Sequence, residues 1–108
     1  MLHVVDRPLC NTTVRRYYGV SLNEEVSVVC NLISHTDDID FKWSFNNSQS
    51  NKVTEFSPAV YSVSGRISTL IYSPKKDTEY GTILCHGQND VGRQVEACYF
   101  KIYKAGKF

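Results

Sequence analysis

The sequence has almost no net charge: 12 lysines and arginines stand against 11 aspartates and glutamates in 108 residues, leaving +1. That balance excludes the broad basic surface with which a domain gathers nucleic acid or docks on an anionic membrane. The charges are scattered, with only short clusters such as Arg15-Arg16 and Lys75-Lys76, and read as a solvated surface. No apolar run approaches the ~20 residues of a membrane span. A leader is missing as well, because Met1-Leu2-His3-Val4-Val5 gives way at once to Asp6, Arg7 and Pro8, with neither a basic start nor a long apolar core. The chain therefore reads as a fragment of a longer protein, with Met1 an expression start or a boundary. Catalytic signatures are also wanting. There is no Gly-x-Ser-x-Gly, no close Cys–His pairing and no glycine-rich phosphate loop, and Glu24, Glu25 and Glu79 lack a partner spaced for acid–base work. No enzyme and no cofactor are expected.

What is present is core-building material: 42% hydrophobic residues, including 7 Tyr, 5 Phe and 1 Trp, which excludes a disordered chain. A domain of this size buries only about 60–70% of its unfolded surface, so covalent staples matter. Four cysteines fit that need. Cys10, Cys30, Cys85 and Cys98 lie far apart, without the close pairs that present two thiolates to one zinc, and His3, His35 and His86 are equally dispersed. Disulfides are the better reading, and they imply an oxidising, extracellular compartment.

Period-two alternation runs through the chain. Val26, Val28, Cys30 and Leu32 share one face of a strand over 25–32, and Phe41, Trp43 and Phe45 share one face over 40–46, with Ser34 to Asp38 as turn material between them. Further strands are expected over 59–63, 66–73, 82–88 and 95–103, the last two joined by the turn Asn89-Asp90-Val91-Gly92. No segment carries a sustained helical stripe. About 7–8 short strands in one such chain predict an all-β sandwich of two antiparallel sheets.

Cys30, Trp43 and Cys85 fall on inward positions of separate strands, the arrangement in which an inter-sheet disulfide packs on a buried indole. Here the chain resembles the immunoglobulin superfamily. Glu79-Tyr80-Gly81-Thr82-Ile83-Leu84-Cys85 is similar to that family's acidic-x-Gly-x-Tyr-x-Cys pattern except that Ile83 stands at the tyrosine, which predicts the loss of one corner hydrogen bond worth about 1 kcal/mol. Cys85-x-Gly87-x-Asn89-x-x-Gly92 resembles the Cys-x-Ala-x-Asn-x-x-Gly of intermediate-set domains. Of the three connectivities, the resemblance implies Cys30–Cys85 together with Cys10–Cys98, the latter because the first strand of such sandwiches can run beside the last. Each bridge closes a loop worth on the order of 4 kcal/mol in the chain-entropy model. The core is then expected to hold Trp43, Phe41, Phe45, Ile83 and Leu70.

A narrower resemblance covers Pro8 to Lys107. It is carried by Cys10 ahead of Tyr17-Tyr18-Gly19-Val20, by Phe41-Lys42-Trp43-Ser44-Phe45-Asn46-Asn47-Ser48, by Tyr80 to Cys85, by Asn89 to Gln94 and by Cys98-Tyr99-Phe100-Lys101-Ile102. Together these stretches are similar to a late immunoglobulin domain of the arthropod Sidestep family of cell-surface receptors. Ala105-Gly106-Lys107 resembles that family's closing Pro-Ala-Gly, with Lys104 in the proline's place. The resemblance implies an adhesion or axon-guidance receptor on the plasma membrane, with neighbouring immunoglobulin or fibronectin-like domains and immunoglobulin ligands of the Beaten path type. Residues 1–8 then form a linker or the start of the first strand, 9–104 the domain and 105–108 the start of a linker. A soluble secreted immunoglobulin protein acting in immunity is the alternative.

Asn11-Thr12-Thr13 and Asn46-Asn47-Ser48 are N-glycosylation sequons, with Asn11 and Asn46 as acceptors. Asp37, Asp38 and Asp40 lack the turn glycine and trailing glutamate of a calcium loop and read as an inter-strand turn, so no metal is assigned. Tyr99 and Tyr103 alternate with Phe100 and Ile102 and are expected to face outward, where aromatics serve lateral protein contacts.

Overall fold

The computed structural model describes residues 6–47, 50 and 52–106. Among these, nine strands form two sheets. The first sheet contains β1 (Leu9–Cys10), β3 (Val26–Ile33), β7 (Ile67–Tyr72) and β6 (Tyr61–Ser64), side by side in the order β1-β3-β7-β6. The second contains β2 (Tyr17–Val20), β9 (Cys98–Lys104), β8 (Gly81–Gln88), β4 (Asp40–Asn46) and β5 (Val53–Glu55), in the order β2-β9-β8-β4-β5. The alternating segments produce the central strands because each has one apolar face to bury: Val28, Cys30 and Leu32 on β3, Phe41 and Trp43 on β4, and Ile83 and Cys85 on β8 all lie inside.

The second sheet is not wholly antiparallel, contrary to expectation. β2 runs parallel to β9, with Tyr17 opposite Lys101 and Val20 opposite Lys104. The cause is a change of sheet early in the chain. After Cys10 pairs with Leu32 of β3, the polar turn Asn11–Thr13 ends the ladder and the chain crosses to the edge of the other sheet. β1 and β2 thus cover one edge of each sheet, which leaves less unpaired backbone. Two further boundaries differ. Ala59 and Val60 belong to a 3-10 turn (Pro58–Val60), since Pro58 offers no N–H to a ladder and the Ser57 hydroxyl accepts from the Ala59 N–H at 3.2 Å. β9 begins at Cys98 rather than Val95. After a single bridge between Gln88 and Arg93, the chain swings outward and leaves Val95 73% exposed.

Both disulfides have the expected pairing, Cys30–Cys85 and Cys10–Cys98, with Cα separations of 6.5 and 5.6 Å. The strand carrying Cys10 does not lie beside β9, however; the outer bridge joins the two sheets, as the inner one does. Cys85 and Cys98 are directly opposite on β8 and β9, while Cys10 is opposite Leu32, two residues beyond Cys30. The two bridges therefore stand next to each other across the gap. Gly87 makes room there, because a Cβ at that position would run into the Leu32 side chain and lie 3.2 Å from Ile39.

The Trp43 indole fills the centre. It lies 5.8 Å from the Phe100 ring, and its N–H donates to Ser68 Oγ at 2.9 Å; that hydroxyl in turn donates to the Ser62 carbonyl at 2.8 Å. Ile83 and Leu70 are also fully buried. Phe45 is only half-buried and stacks on Tyr72 at 6.0 Å. The hydroxyl that Ile83 cannot supply comes from a different strand. Tyr72 donates to the Glu79 carbonyl at 2.6 Å, and Tyr80 donates to the Val20 carbonyl at 2.7 Å, so the corner before β8 is tied from both sides.

Burial, then the nearby Glu79 and Tyr80, push the Tyr72 phenol up to about 12 from its ordinary 10.0. An acid whose pKa is raised on folding holds its proton in the folded state after the unfolded chain has lost it, so this group's contribution falls as pH rises above 10.0. Tyr72→Phe is expected to cost about 1 kcal/mol at neutral pH. The deficit relative to wild type should shrink above pH 10, read from urea midpoints of the two proteins at matched pH.

Candidate binding surface

Since Phe100 and Ile102 point into the core, strand alternation sets Tyr99, Lys101 and Tyr103 on the outer face of the second sheet. Tyr99 is 41% and Tyr103 52% exposed. The parallel pairing of β2 adds Tyr17, opposite Lys101 and 60% exposed, and sets Gly19 opposite Tyr103. The Tyr103 ring lies over Gly19, where a Cβ would sit 3.0 Å from it. Arg16 completes the cluster: its guanidinium stands 5.5 Å from the centre of the Tyr99 ring and donates to the Tyr99 hydroxyl at 3.3 Å. Arg15 turns the other way, covering the buried Tyr18 ring at 4.2 Å. Leu84, opposite both Tyr99 and Ser44, extends the patch toward β4. Tyrosine and arginine on a rigid sheet are the side chains that most often anchor protein interfaces, because they bury much area for little lost rotamer freedom.

The loops at one end of the sandwich are locked by polar contacts. Asn89 is buried; its Oδ1 accepts from the N–H groups of Val91 (3.0 Å) and Gly92 (3.3 Å), and its Nδ2 donates to the Asp6 carbonyl (2.7 Å) and Ser34 Oγ (3.3 Å). His35 Nε2 meets Asp90 Oδ1 at 2.8 Å, and Arg66 meets Asp37 at 2.6 Å, so at least one member of the acidic loop is held as an ion-pair partner. No group of three His, Cys, Asp or Glu side chains poised for a metal occurs among the described residues. His86 on the outer face has its pKa lowered, first by burial and then by Arg93. Among the described residues no helix is long and apolar enough to cross a membrane, which says nothing of strands.

No family model and no curated protein sequence matches the chain. Solved structures do. A titin I-band fragment, I67-I69, superposes with a TM-score of 0.69 at 17% identity over 94% of this chain and 33% of that one. The titin M4 domain gives 0.67 at 16% identity over 95% of this chain and all of that one. A Dscam structure bearing on isoform specificity gives 0.66 at 12% identity over 94% of this chain and 25% of that one. The chain has the immunoglobulin fold. It spans a third of the I-band fragment and a quarter of the Dscam chain, so in both the matching portion is one part of a longer chain.

Within this immunoglobulin-like fold the two sequons occupy different settings. Asn46 ends β4, flanked by β5 on one side and β8 on the other, with its Oδ1 buried; Ser48 lies outside the described residues. Asn11 sits in the crossing turn, and its Oδ1 accepts from the Thr13 N–H (3.0 Å) and Thr13 hydroxyl (2.7 Å). Beside Asn11 is a groove of about 560 Å³ between the crossing segment and residues 95–100, bordered by Leu9, Val14, Val95, Ala97 and Tyr99 and by the outer bridge. Sequence reasoning missed Gln94. It is 4% exposed, accepts the Gly87 N–H at 2.9 Å and donates to Cys10 Sγ at 2.9 Å, sealing the bridge from the core side. Nothing in its exposed-looking polar neighbourhood marks it as buried.

Proposed function

We propose that the domain is an extracellular module of a cell-surface adhesion or axon-guidance receptor, of the Sidestep type, that binds other proteins or spaces a distal binding domain. The observation that carries this reading is the tyrosine–arginine patch on β2 and β9: Tyr17, Tyr99 and Tyr103 stand exposed around Arg16 and Lys101 on a face that needs none of them for the core. Two inter-sheet bridges fit the oxidising compartment in which such receptors work. The function is non-catalytic, and the partners are proteins, immunoglobulin ligands of the Beaten path type first among them.

The test presents the multimerised chain to a panel of immunoglobulin ectodomains that includes Beaten path ligands and this domain itself. Tyr99→Ser with Tyr103→Ser is expected to abolish a positive signal while leaving the thermal midpoint nearly unchanged, since both rings are outside the core. Unchanged binding by this double variant removes the patch, and no binding to any panel member leaves the spacer role. A soluble secreted protein acting in immunity is the competing reading. A membrane span in the full-length gene decides against it.

A further inference from the structure

The geometry points to Asn11 as an N-glycan acceptor whose first sugars seat in the adjoining groove and cover the Cys10–Cys98 bridge. This rests on the extracellular reading above. Three observations converge on it. First, the turn holds the sequon with both Thr13 donors on Oδ1, while Asn11 Nδ2 carries no hydrogen bond among the described residues. The atom that would carry the sugar is one the finished fold does not need, so a glycan there displaces no contact. Second, the groove begins at Asn11 itself. Its 560 Å³ lies within the ~300–1,000 Å³ typical of small-ligand sites, and its lining combines aliphatic side chains (Leu9, Val14, Val95) and Tyr99 with the polar Arg16 and Glu96. The C–H faces and acetamide methyl of N-acetylglucosamine suit the aliphatic part and its hydroxyls the polar part, and Val95, at 73% the most exposed large hydrophobic side chain among the described residues, gains a cover.

Third, the bridge does not stand in the way of modification. Cys98 follows Cys10 by 88 residues and, at ~5–20 residues per second, is made roughly 4–18 s after it. That delay gives the sequon time with Cys10 unpaired, before the bridge closes. In the reaction Asn11 Nδ2 bonds to the anomeric carbon of N-acetylglucosamine at the reducing end of a lipid diphosphate-linked oligosaccharide. The bond from that carbon to the phosphate oxygen breaks, the lipid diphosphate leaves with its electron pair, and the amide proton passes to the transferase's base.

The experiment secretes the chain from cultured eukaryotic cells behind a cleavable leader, with Ser48→Ala present so that Asn11 is the only acceptor. Peptide mapping after glycosidase release in heavy-oxygen water reads occupancy. Dithiothreitol reduction followed by alkylation reads the two bridges separately. The expected result is a glycan at Asn11, lost in Thr13→Ala and kept in Thr13→Ser. The outer bridge is expected to reduce several-fold faster when the glycan is removed, by Thr13→Ala or by glycosidase, while the inner bridge does not change. A secreted, fully bridged chain with bare Asn11 overturns the acceptor assignment and leaves the receptor reading standing. Equal reduction rates with and without the glycan overturn the cover. A chain retained in the cell with free thiols overturns the extracellular reading and the proposal with it.

Discussion

Trp43→Ala should remove about 3–5 kcal/mol of stability, the range for deleting a large buried aromatic. The indole is completely inaccessible and packs against Phe100 and Tyr61, from strands of both sheets, with Cys85 of the inner bridge opposite Trp43 in the β4–β8 register, so the cavity left behind is bounded by rigid elements that cannot close in. A domain of this size has about 5–15 kcal/mol in all. Much of the population should therefore unfold at modest urea concentrations. Trp43 is the single tryptophan, so the transition is followed by far-ultraviolet circular dichroism rather than by fluorescence. Trp43→Phe keeps most of the area but loses the N–H bond to Ser68, and should fall between wild type and alanine. A loss below about 1 kcal/mol for the alanine variant would mean that the two sheets are held mainly by their bridges.

Removing the outer bridge with Cys10→Ala and Cys98→Ala should cost about 2–4 kcal/mol, through the freedom returned to an unfolded chain otherwise closed over 88 residues. The loss has a location as well as a size. β1 has only two residues and one strand neighbour, so its protection against hydrogen exchange should disappear together with that of residues 94–97, while β3 and β8 stay protected through the inner bridge. Gln94 should become mobile in the same variant, since its side chain spans from Gly87 to the bridge sulfurs. Uniform loss of protection across β3 and β8 would contradict a separable outer clasp.

The central strands were legible because alternation reports directly on which side chains meet the core. Val28, Cys30, Leu32, Phe41 and Trp43 are inside because their spacing leaves them no other face. Parity says nothing, however, about which sheet a strand joins. β1 and β2 have the composition of ordinary edge strands, and the transfer of the chain between them, with the parallel pair that results, depends on which open edge is nearest after Cys10. The same blindness hid the corner. Ile83 announces a missing hydroxyl, but that Tyr72 on β7 reaches the Glu79 carbonyl instead is a matter of distance between strands, not of pattern. On the outer face, Tyr99 and Tyr103 followed from alternation; Tyr17 and Arg16 joined them only through the β2–β9 register.

The outer bridge also sets how the domain carries a load. Cys10 lies just inside one end of the chain and Cys98 six residues before the close of the last strand. Pulling on the two ends sends tension through the sulfur–sulfur bond and past everything between them. The stretches from Cys10 to Cys30 and from Cys85 to Cys98, outside the inner bridge, would otherwise pay out on the order of 110 Å of extended chain and are held in reserve. Between two tethered surfaces the oxidised domain behaves as a link of nearly fixed length, and reduction of that single bond turns it into a chain that can lengthen.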